Sequence, residues 1–288
     1  MQEQEIVKRL DALIDEFIIR AKVFVNCSCY LPGLIDLKDN RITVRQVYDH
    51  EYLAFRKSAK TLISIQELLK VGNNEDAYVL IRSMFENYLA ARYLNENVHD
   101  VNDLHKIKQY IQNRIYVALG NYSVSRGKVI DSNRNQIGKA KSIRSQAIGL
   151  DNEYYDSLYG FLSRFAHLDF SNLDYYVDEY KSFILKKEND VLLVRLITVF
   201  ITTKIYEAIV TIDGEEFLGE VEEELCYKVV RESLLYQRWV FDWYIKELEF
   251  EVGDTMLNQH RMIFQKMLKG MNKSLKEEIG DLSKENLF

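Results

Sequence analysis

The stretch YGFLSRFAHLDF, residues 159–170, places side chains that could act on a phosphate ester within one helical segment. Ser163 precedes His167 by four residues and Arg164 precedes it by three, and Tyr159 lies on the same stripe. A histidine transfers protons near neutral pH, a serine one turn away can set its tautomer, and an arginine can hold an anion. The alternative is a core histidine near a helix end whose neighbours satisfy its hydrogen bonds.

A second charged pair lies in LIRSMFENYL, residues 80–89. Arg82 and Glu86 are four residues apart and therefore share one face of a helix that is apolar on most of its other sides. This pattern predicts a partly buried ion pair. The Arg82 guanidinium could stabilise charge that develops on phosphoryl oxygens, or the pair could serve only to organise the packing of the helices.

Basic residues are concentrated between Val101 and Leu150, where nine lysines and arginines face two aspartates in a chain of net charge −6. Such an imbalance favours contact with a polyanion such as RNA. The alternatives are a solvated loop and a surface that docks on the acidic run IDGEEFLGEVEEEL, residues 212–225, of the same or another subunit. The residues that we expect to bind RNA are Arg126, Lys128, Arg134, Lys139, Lys141 and Arg144.

The sequence lacks the motifs of several cofactor and metal enzymes. It has no P-loop, no GxGxxG, no GxSxG and no HExxH, and we expect no cofactor and no metal. The three cysteines are odd in number, and Cys27 and Cys29 are too close for an easy mutual bridge. This usage indicates a reducing compartment and a cytoplasmic protein, in which we expect all three cysteines to pack as small side chains. The N-terminal residues are charged and resemble no signal peptide.

The elements that must position these residues are predicted to be helices. Apolar residues recur at spacings of three and four along most of the chain, which holds one proline and 12 glycines. The apolar stretch 191–210 contains Arg195, Lys204 and Glu207, so it is predicted to be a buried bundle helix and not a membrane span. Helices are predicted over about residues 4–25, 43–71, 75–95, 101–120, 151–166, 190–212, 215–250 and 255–269.

The predicted fold class is therefore all-α, an irregular bundle of seven to nine helices. Residues 120–142 are predicted to form a polar loop, and residues 168–188 a loop with at most a short strand. Residues 1–270 are predicted to form a single domain, with a subdivision near residue 188 as the alternative. Residues 271–288 are predicted to be a polar tail.

The two motif helices together resemble an uncharacterised family of bacterial helical proteins, in which an LxRSxxE helix is followed by an LS…H helix. The matching residues are Leu80 or Ile81, Arg82, Ser83, Glu86, Leu162, Ser163 and His167. That family is in turn similar to the HEPN superfamily, whose members are helical, usually dimeric, and often metal-independent RNA-cleaving toxins or phage-defence effectors. Their signature is an arginine followed four to six residues later by a histidine, a spacing that Arg164 and His167 do not meet.

The resemblance implies a metal-independent ribonuclease and a homodimer. His167 would be the general acid or base, Arg82 and Arg164 would stabilise the phosphorane-like transition state, Glu86 would orient Arg82, and Ser163 would position the imidazole. This reading predicts that His167 lines a cleft facing the basic segment. The alternative is a non-catalytic dimeric interaction module, which predicts that His167 and the Arg82–Glu86 pair are buried and mutually satisfied.

Overall fold

The fold is a helical bundle, as predicted. The computed structural model describes residues 2–27, 44–98, 101–149, 151–167, 170–178, 180–184, 190–210, 220–250, 265, 267–273 and 275–276. Its longer helices are α1 (Gln2–Cys27), α2 (Val44–Lys70), α3 (Asn74–Val98), α4 (Val101–Ala118), α6 (Val191–Val210) and α7 (Glu220–Phe250). Between α4 and α6 lies α5, in which the α-helical segments Asp151–Tyr154 and Gly160–Phe165 flank a π-helical turn, Tyr155–Tyr159. Short 3-10 turns span Arg144–Gln146 and Phe170–Tyr175.

A small antiparallel sheet stands where the sequence predicted a polar loop. Its strands are β1 (Ser123–Ser125), β2 (Lys128–Ile130) and β3 (Gln136–Lys139), in that order across the sheet. Arg126 and Gly127 join β1 to β2 with φ of 49° and 73°, the left-handed conformation of a type I′ hairpin turn. The loop prediction was wrong because strands this short show no visible alternation, and Arg-Gly is not one of the residue pairs that usually mark this turn.

The helix α6 forms the centre of the bundle. Every residue from Leu192 to Tyr206 is buried, although Arg195 and Lys204 are among them. Lys204 pairs with Glu207 at 2.8 Å, so the charge that enters the core is neutralised. The prediction of a buried bundle helix is confirmed. Among the helices of the described residues, none combines the length and apolarity needed to cross a membrane.

The Arg195 side chain joins three helices at one end of the bundle. Its Nε donates to the Asp11 carboxylate of α1 at 2.7 Å, and its Nη2 donates to the Leu69 carbonyl near the end of α2 at 3.4 Å. A third bond, from Nη1, returns to the Val191 carbonyl of its own helix at 3.0 Å. These contacts satisfy a guanidinium that would otherwise be buried at a large cost.

A buried polar cluster fixes α7 against the same central helix. The Gln237 amide of α7 donates to the Thr203 and Ser233 hydroxyls at 2.9 and 2.8 Å, and these two hydroxyls lie 2.8 Å apart. Cys226, also on α7, is a buried free thiol, in keeping with the predicted packing role. The Cys27 side chain and Cys29 lie outside the described residues.

The bundle extends past the predicted start of the polar tail. Residues 267–273 and 275–276 are helical, and Met271 and Leu275 are fully buried in the core with Met267 and Leu268. Helix therefore continues past the predicted tail boundary at residue 271, because the apolar spacing continues through Gly270, which lies inside the helix. The residues before 265 and after 276 in this region lie outside the described part of the chain, and the domain division near residue 188 stays a prediction.

Replacing Arg195 with methionine is expected to lower the free energy of unfolding by about 3 kcal/mol, because Asp11 and the Leu69 carbonyl lose a buried donor. The matched control is Arg9→Met, which removes a solvent-exposed ion pair with Glu232 and is expected to cost less than about 1 kcal/mol. Chemical denaturation of both variants measures the difference. Equal losses would contradict the structural role of Arg195.

Candidate functional site

The predicted pair of Arg82 and Glu86 forms and is completed by a tyrosine from α5. Arg82 Nε lies 3.0 Å from Glu86 Oε1, and Arg82 Nη2 donates to the Tyr159 hydroxyl at 2.9 Å. The same hydroxyl donates to Glu86 Oε1 at 3.2 Å, and the guanidinium lies 4.9 Å from the centre of the tyrosine ring. The three side chains satisfy one another and are half-buried.

The π-helical turn of α5 places a second tyrosine beside this triad. Tyr155 stacks on Tyr159 with ring centres 4.6 Å apart, and the Arg144 guanidinium lies 5.1 Å from the centre of the Tyr155 ring. Arg144 also pairs with Asp156. A π-helical turn adds one residue to a turn of an α-helix, and such turns occur frequently at functional sites. Arg144 is exposed as an RNA-binding residue should be, but it already has an acidic partner.

His167 is exposed just beyond the end of α5. It forms no hydrogen bond or ion pair with any residue that the structure describes. Ser163 does not contact it, because the Ser163 hydroxyl donates to the Tyr159 carbonyl at 2.6 Å, as serines within helices often do. Arg164 is half-buried, and its carbonyl accepts a bond from Asn172 at 2.8 Å. No hydrogen bond joins Ser163 and His167 among the described residues, and the role of Ser163 in positioning the imidazole stays a prediction.

The structure separates the two predicted clusters. Six residues of helix, about 9 Å along the axis, separate Tyr159 from the end of α5 at Phe165, and His167 lies two residues beyond that end. Arg82 and Glu86 are held at Tyr159, so they meet each other but not His167. The ribonuclease hypothesis expects His167 to line a cleft, and the interaction-module hypothesis expects it to be buried. This residue is not buried and is not among the lining residues of the cavities described, so neither expectation is met in full.

A cavity of about 600 Å³ lies between α2, α3, α4 and the sheet. The sheet rests closely on α4: a side chain on Gly138 would come within 2.8 Å of Asn113 Nδ2, and the Gln109 amide donates to the Ile137 carbonyl at 3.2 Å. The hairpin therefore forms one wall of the cavity. The charged and titratable residues that line it are His50, Lys57, Glu86, Arg114, Lys139 and Lys141.

Positive charge in this cavity exceeds negative charge, and most of it is unpaired. Glu86 is the one carboxylate among its described lining residues, and it is already bound to Arg82 and Tyr159. Arg114 donates to the Tyr110 hydroxyl at 2.7 Å, which leaves its charge in place. The cavity is consequently electropositive, and two of its cations, Lys139 and Lys141, come from the predicted RNA-binding set.

His50 is the histidine that lines this cavity, and the sequence did not single it out. Its Nδ1 is buried with no hydrogen-bond partner among the described residues. Burial, reinforced by the charge of Arg114, lowers the pKa of His50 to about 4, so the imidazole is neutral at pH 7. The sequence offers one weak signal: His50 and Lys57 are seven residues apart, on one face of α2.

A much smaller cavity, of about 20 Å³, lies on the neighbouring side of α2 and contains the buried carboxyl of Glu51. Neither of its oxygens has a hydrogen-bond partner among the described residues. Burial raises the pKa of Glu51 to about 9, so this carboxyl is protonated at neutral pH. A space of this size holds about one water molecule.

Replacing Glu51 with glutamine is expected to raise the free energy of unfolding by about 3 kcal/mol at pH 7. The unfolded chain releases the Glu51 proton near pH 4.5, whereas the folded chain keeps it to about pH 9, so the carboxyl costs stability that grows with pH between these values. Urea denaturation from pH 4 to pH 9 measures the gain, with the exposed Glu67→Gln as control. A loss of stability in Glu51→Gln at pH 7 would show that the carboxylate is ionised and paired.

The comparisons with known proteins concern mainly this part of the chain. Residues 51–182 match the model of a family of unknown function, DUF5677. The matched part is less than half of the chain; it contains Arg82, Glu86, the sheet and all the named lining residues of the large cavity except His50. Similarity to an uncharacterised family was predicted, whereas the similarity to HEPN proteins stays a prediction. No curated protein and no solved structure matches the chain significantly.

Proposed function

We propose that the protein binds RNA along a basic surface formed by the hairpin and α2, and that it cleaves RNA without a metal ion. The observation that carries the proposal is the electropositive cavity with its basic hairpin wall. All six residues predicted to bind RNA are exposed, and two of them line the cavity. A polyanion can neutralise these cations, and counterion release then supplies much of the binding free energy.

The basic surface continues from the cavity toward α1. A groove between α1 and α2 is lined by Lys22, Arg56, Lys57 and Lys60, and it shares Leu53 and Lys57 with the cavity. A strand that enters at the hairpin can therefore follow α2 while remaining next to positive charge. Surfaces of this kind suit a flexible single strand, whose backbone follows a groove without base-specific contacts.

Cleavage in this proposal uses groups that RNA itself supplies. The 2′-oxygen attacks the adjacent phosphorus and loses its proton to His167, the P–O5′ bond breaks, and the leaving 5′-oxygen takes up a proton. The products are a 2′,3′-cyclic phosphate and a 5′-hydroxyl, so no metal or co-substrate is needed. Arg164 is the cation nearest to His167 in sequence and would stabilise the transition state. Arg82, oriented by Glu86, would contact the RNA about two helical turns away.

Incubation of a mixed RNA pool with EDTA tests both parts of the proposal. His167→Ala is expected to reduce the cleavage rate by at least about 100-fold while RNA affinity is unchanged, because only proton transfer is removed. Lys246→Gln, which changes an exposed residue of another surface, is the control and should still cleave. Equal cleavage by wild type and His167→Ala would remove His167 from the chemistry.

RNA affinity in the same experiment depends on the hairpin. Asparagine favours the left-handed backbone that Arg126 and Arg134 adopt, so the double replacement Arg126→Asn and Arg134→Asn removes charge without straining the fold. The slope of log affinity against log salt is expected to fall by about 1.4. Lys246→Gln with Lys269→Gln, exposed lysines of another surface, is the control. An unchanged slope in the hairpin variant would contradict RNA binding there.

A second candidate function, the dimeric interaction module, is favoured by one feature. Phe170, Tyr180 and Phe183 are at least 80% exposed, in the segment that follows α5. Large exposed aromatic side chains are typical of interfaces, and a second copy of the chain is the expected occupant. The ribonuclease proposal also includes a role as a toxin or defence effector and a cytoplasmic location.

The replacement of Phe170 and Phe183 with serine is expected to convert a dimer to a monomer, because it removes two exposed aromatic rings from the proposed interface. Sedimentation equilibrium measures the mass, and the half-exposed Tyr227→Ser on α7 serves as control. A wild-type monomer at all concentrations, or a dimer unaffected by the double replacement, would exclude this interface.

A further inference from the structure

We infer that the cavity between α2, α3, α4 and the hairpin binds a phosphomonoester of about mononucleotide size, with Arg114, Lys139 and Lys141 around its phosphate. This inference goes beyond the proposed RNA cleavage, since it assigns a ligand to the cavity whether or not the chain is an enzyme. It rests on the charge, the shape and the unsatisfied groups of the cavity.

The charge argument begins with the lack of carboxylate partners. Arg114, Lys139 and Lys141 form no ion pair with any residue in the described part of the chain. Arg114 is held by the Tyr110 hydroxyl at 2.7 Å, and the Lys141 ammonium lies 4.9 Å from the centre of the Tyr93 ring. Cations that converge on one space repel each other, and a dianionic group placed among them removes that repulsion. A phosphomonoester carries a charge of about −1.5 to −2 at pH 7.

The size and lining of the cavity fit an organic group attached to the phosphate. Its volume of about 600 Å³ lies within the range of small-molecule sites. Leu53, Val117, Val124, Val129 and Ile143 provide apolar walls beside the cations. Inorganic phosphate alone would leave these walls uncovered, so an ester with a ring system is the better match.

His50 couples this binding to protonation. The other charged or titratable groups that face the cavity are Lys57 from α2, Glu86 from α3, Tyr110 and Arg114 from α4, Lys139 from β3, and Lys141 just beyond β3. Burial and Arg114 keep the imidazole neutral in the empty cavity. Burial is the larger cause of the low pKa of His50, and Arg114 adds to it. An anion bound next to Arg114 offsets that second cause and attracts a proton to the imidazole, so it raises the pKa of His50 and couples binding to proton uptake.

Isothermal titration calorimetry of the full chain with AMP, adenosine and inorganic phosphate at low salt tests the inference. We expect AMP to bind and adenosine not to bind, with phosphate weaker than AMP. Each of Lys139→Gln and Lys141→Gln is expected to weaken AMP binding about tenfold. The single control Lys246→Gln makes the same change of charge elsewhere and should alter the affinity less than about twofold.

Proton uptake supplies a second measurement on the same samples. Titrations at pH 6.5 in two buffers of different ionisation enthalpy give the number of protons taken up, and the wild type is expected to take up more than His50→Gln. Equal uptake by the two proteins would overturn the role of His50. No binding of AMP or phosphate by the wild type at 10 mM, or equal weakening by the control variant, would overturn the ligand assignment.

The phosphate could belong to an RNA end or to a free nucleotide, and a 2′-O-methyl trinucleotide with and without a 5′-phosphate distinguishes the two. Chemistry at the 2′-oxygen cannot cut this trinucleotide. Tighter binding of the phosphorylated trinucleotide than of AMP assigns the cavity to an RNA end, and the reverse order assigns it to a free nucleotide. Loss of RNA cleavage in His167→Ala with AMP binding intact would separate the two proposals. So would AMP binding by a wild type that cleaves no RNA.

Discussion

The arrangement of the helices depends on the hydrogen bonds of one buried guanidinium group, that of Arg195. It has to find acceptors inside the core, and those acceptors belong to α1, to the end of α2 and to its own helix. These three helices therefore meet next to the C-terminal end of α2. One face of α2 then packs in the core through Phe55, Leu62 and Ile65, while the face carrying His50 and Lys57 is left to line the cavity.

The cavity is the result of that constraint combined with the position of the hairpin. Gly138 lets the sheet approach α4 so closely that Lys139 and Lys141 face the cations of α2 and α4 across open space. Three helices and a sheet thus contribute charge to one volume, and Glu86 is the one carboxylate among the lining residues that the structure describes. In a site assembled in this way the cations repel one another, and a bound anion removes that repulsion.

Much of the fold was predictable from sequence because helices are local. The three-and-four spacing indicated the bundle, and the Arg82–Glu86 pair followed from a spacing of four residues. Tyr159 as the third member of that group did not follow, since its partners lie more than 70 residues away in the chain. The signal for His50 was weak because its properties come from burial and from Arg114, neither of which a single helix reveals. The strands of the sheet were not predicted because they are too short to show an alternating pattern.

Two arginines lie in the connections between the strands of the sheet. Arg126 and Arg134 both adopt left-handed backbone, with φ of 49° and 65°, where glycine or asparagine would fit at lower energy. The chain therefore gives up a little folding stability at two exposed positions and gains guanidinium groups there that no turn needs. Such a trade-off between stability and activity is found where a protein has been selected for what its surface contacts. These two positions mark the sheet, rather than the helices around it, as the part of this bundle in which surface charge outweighs the local preference of the backbone.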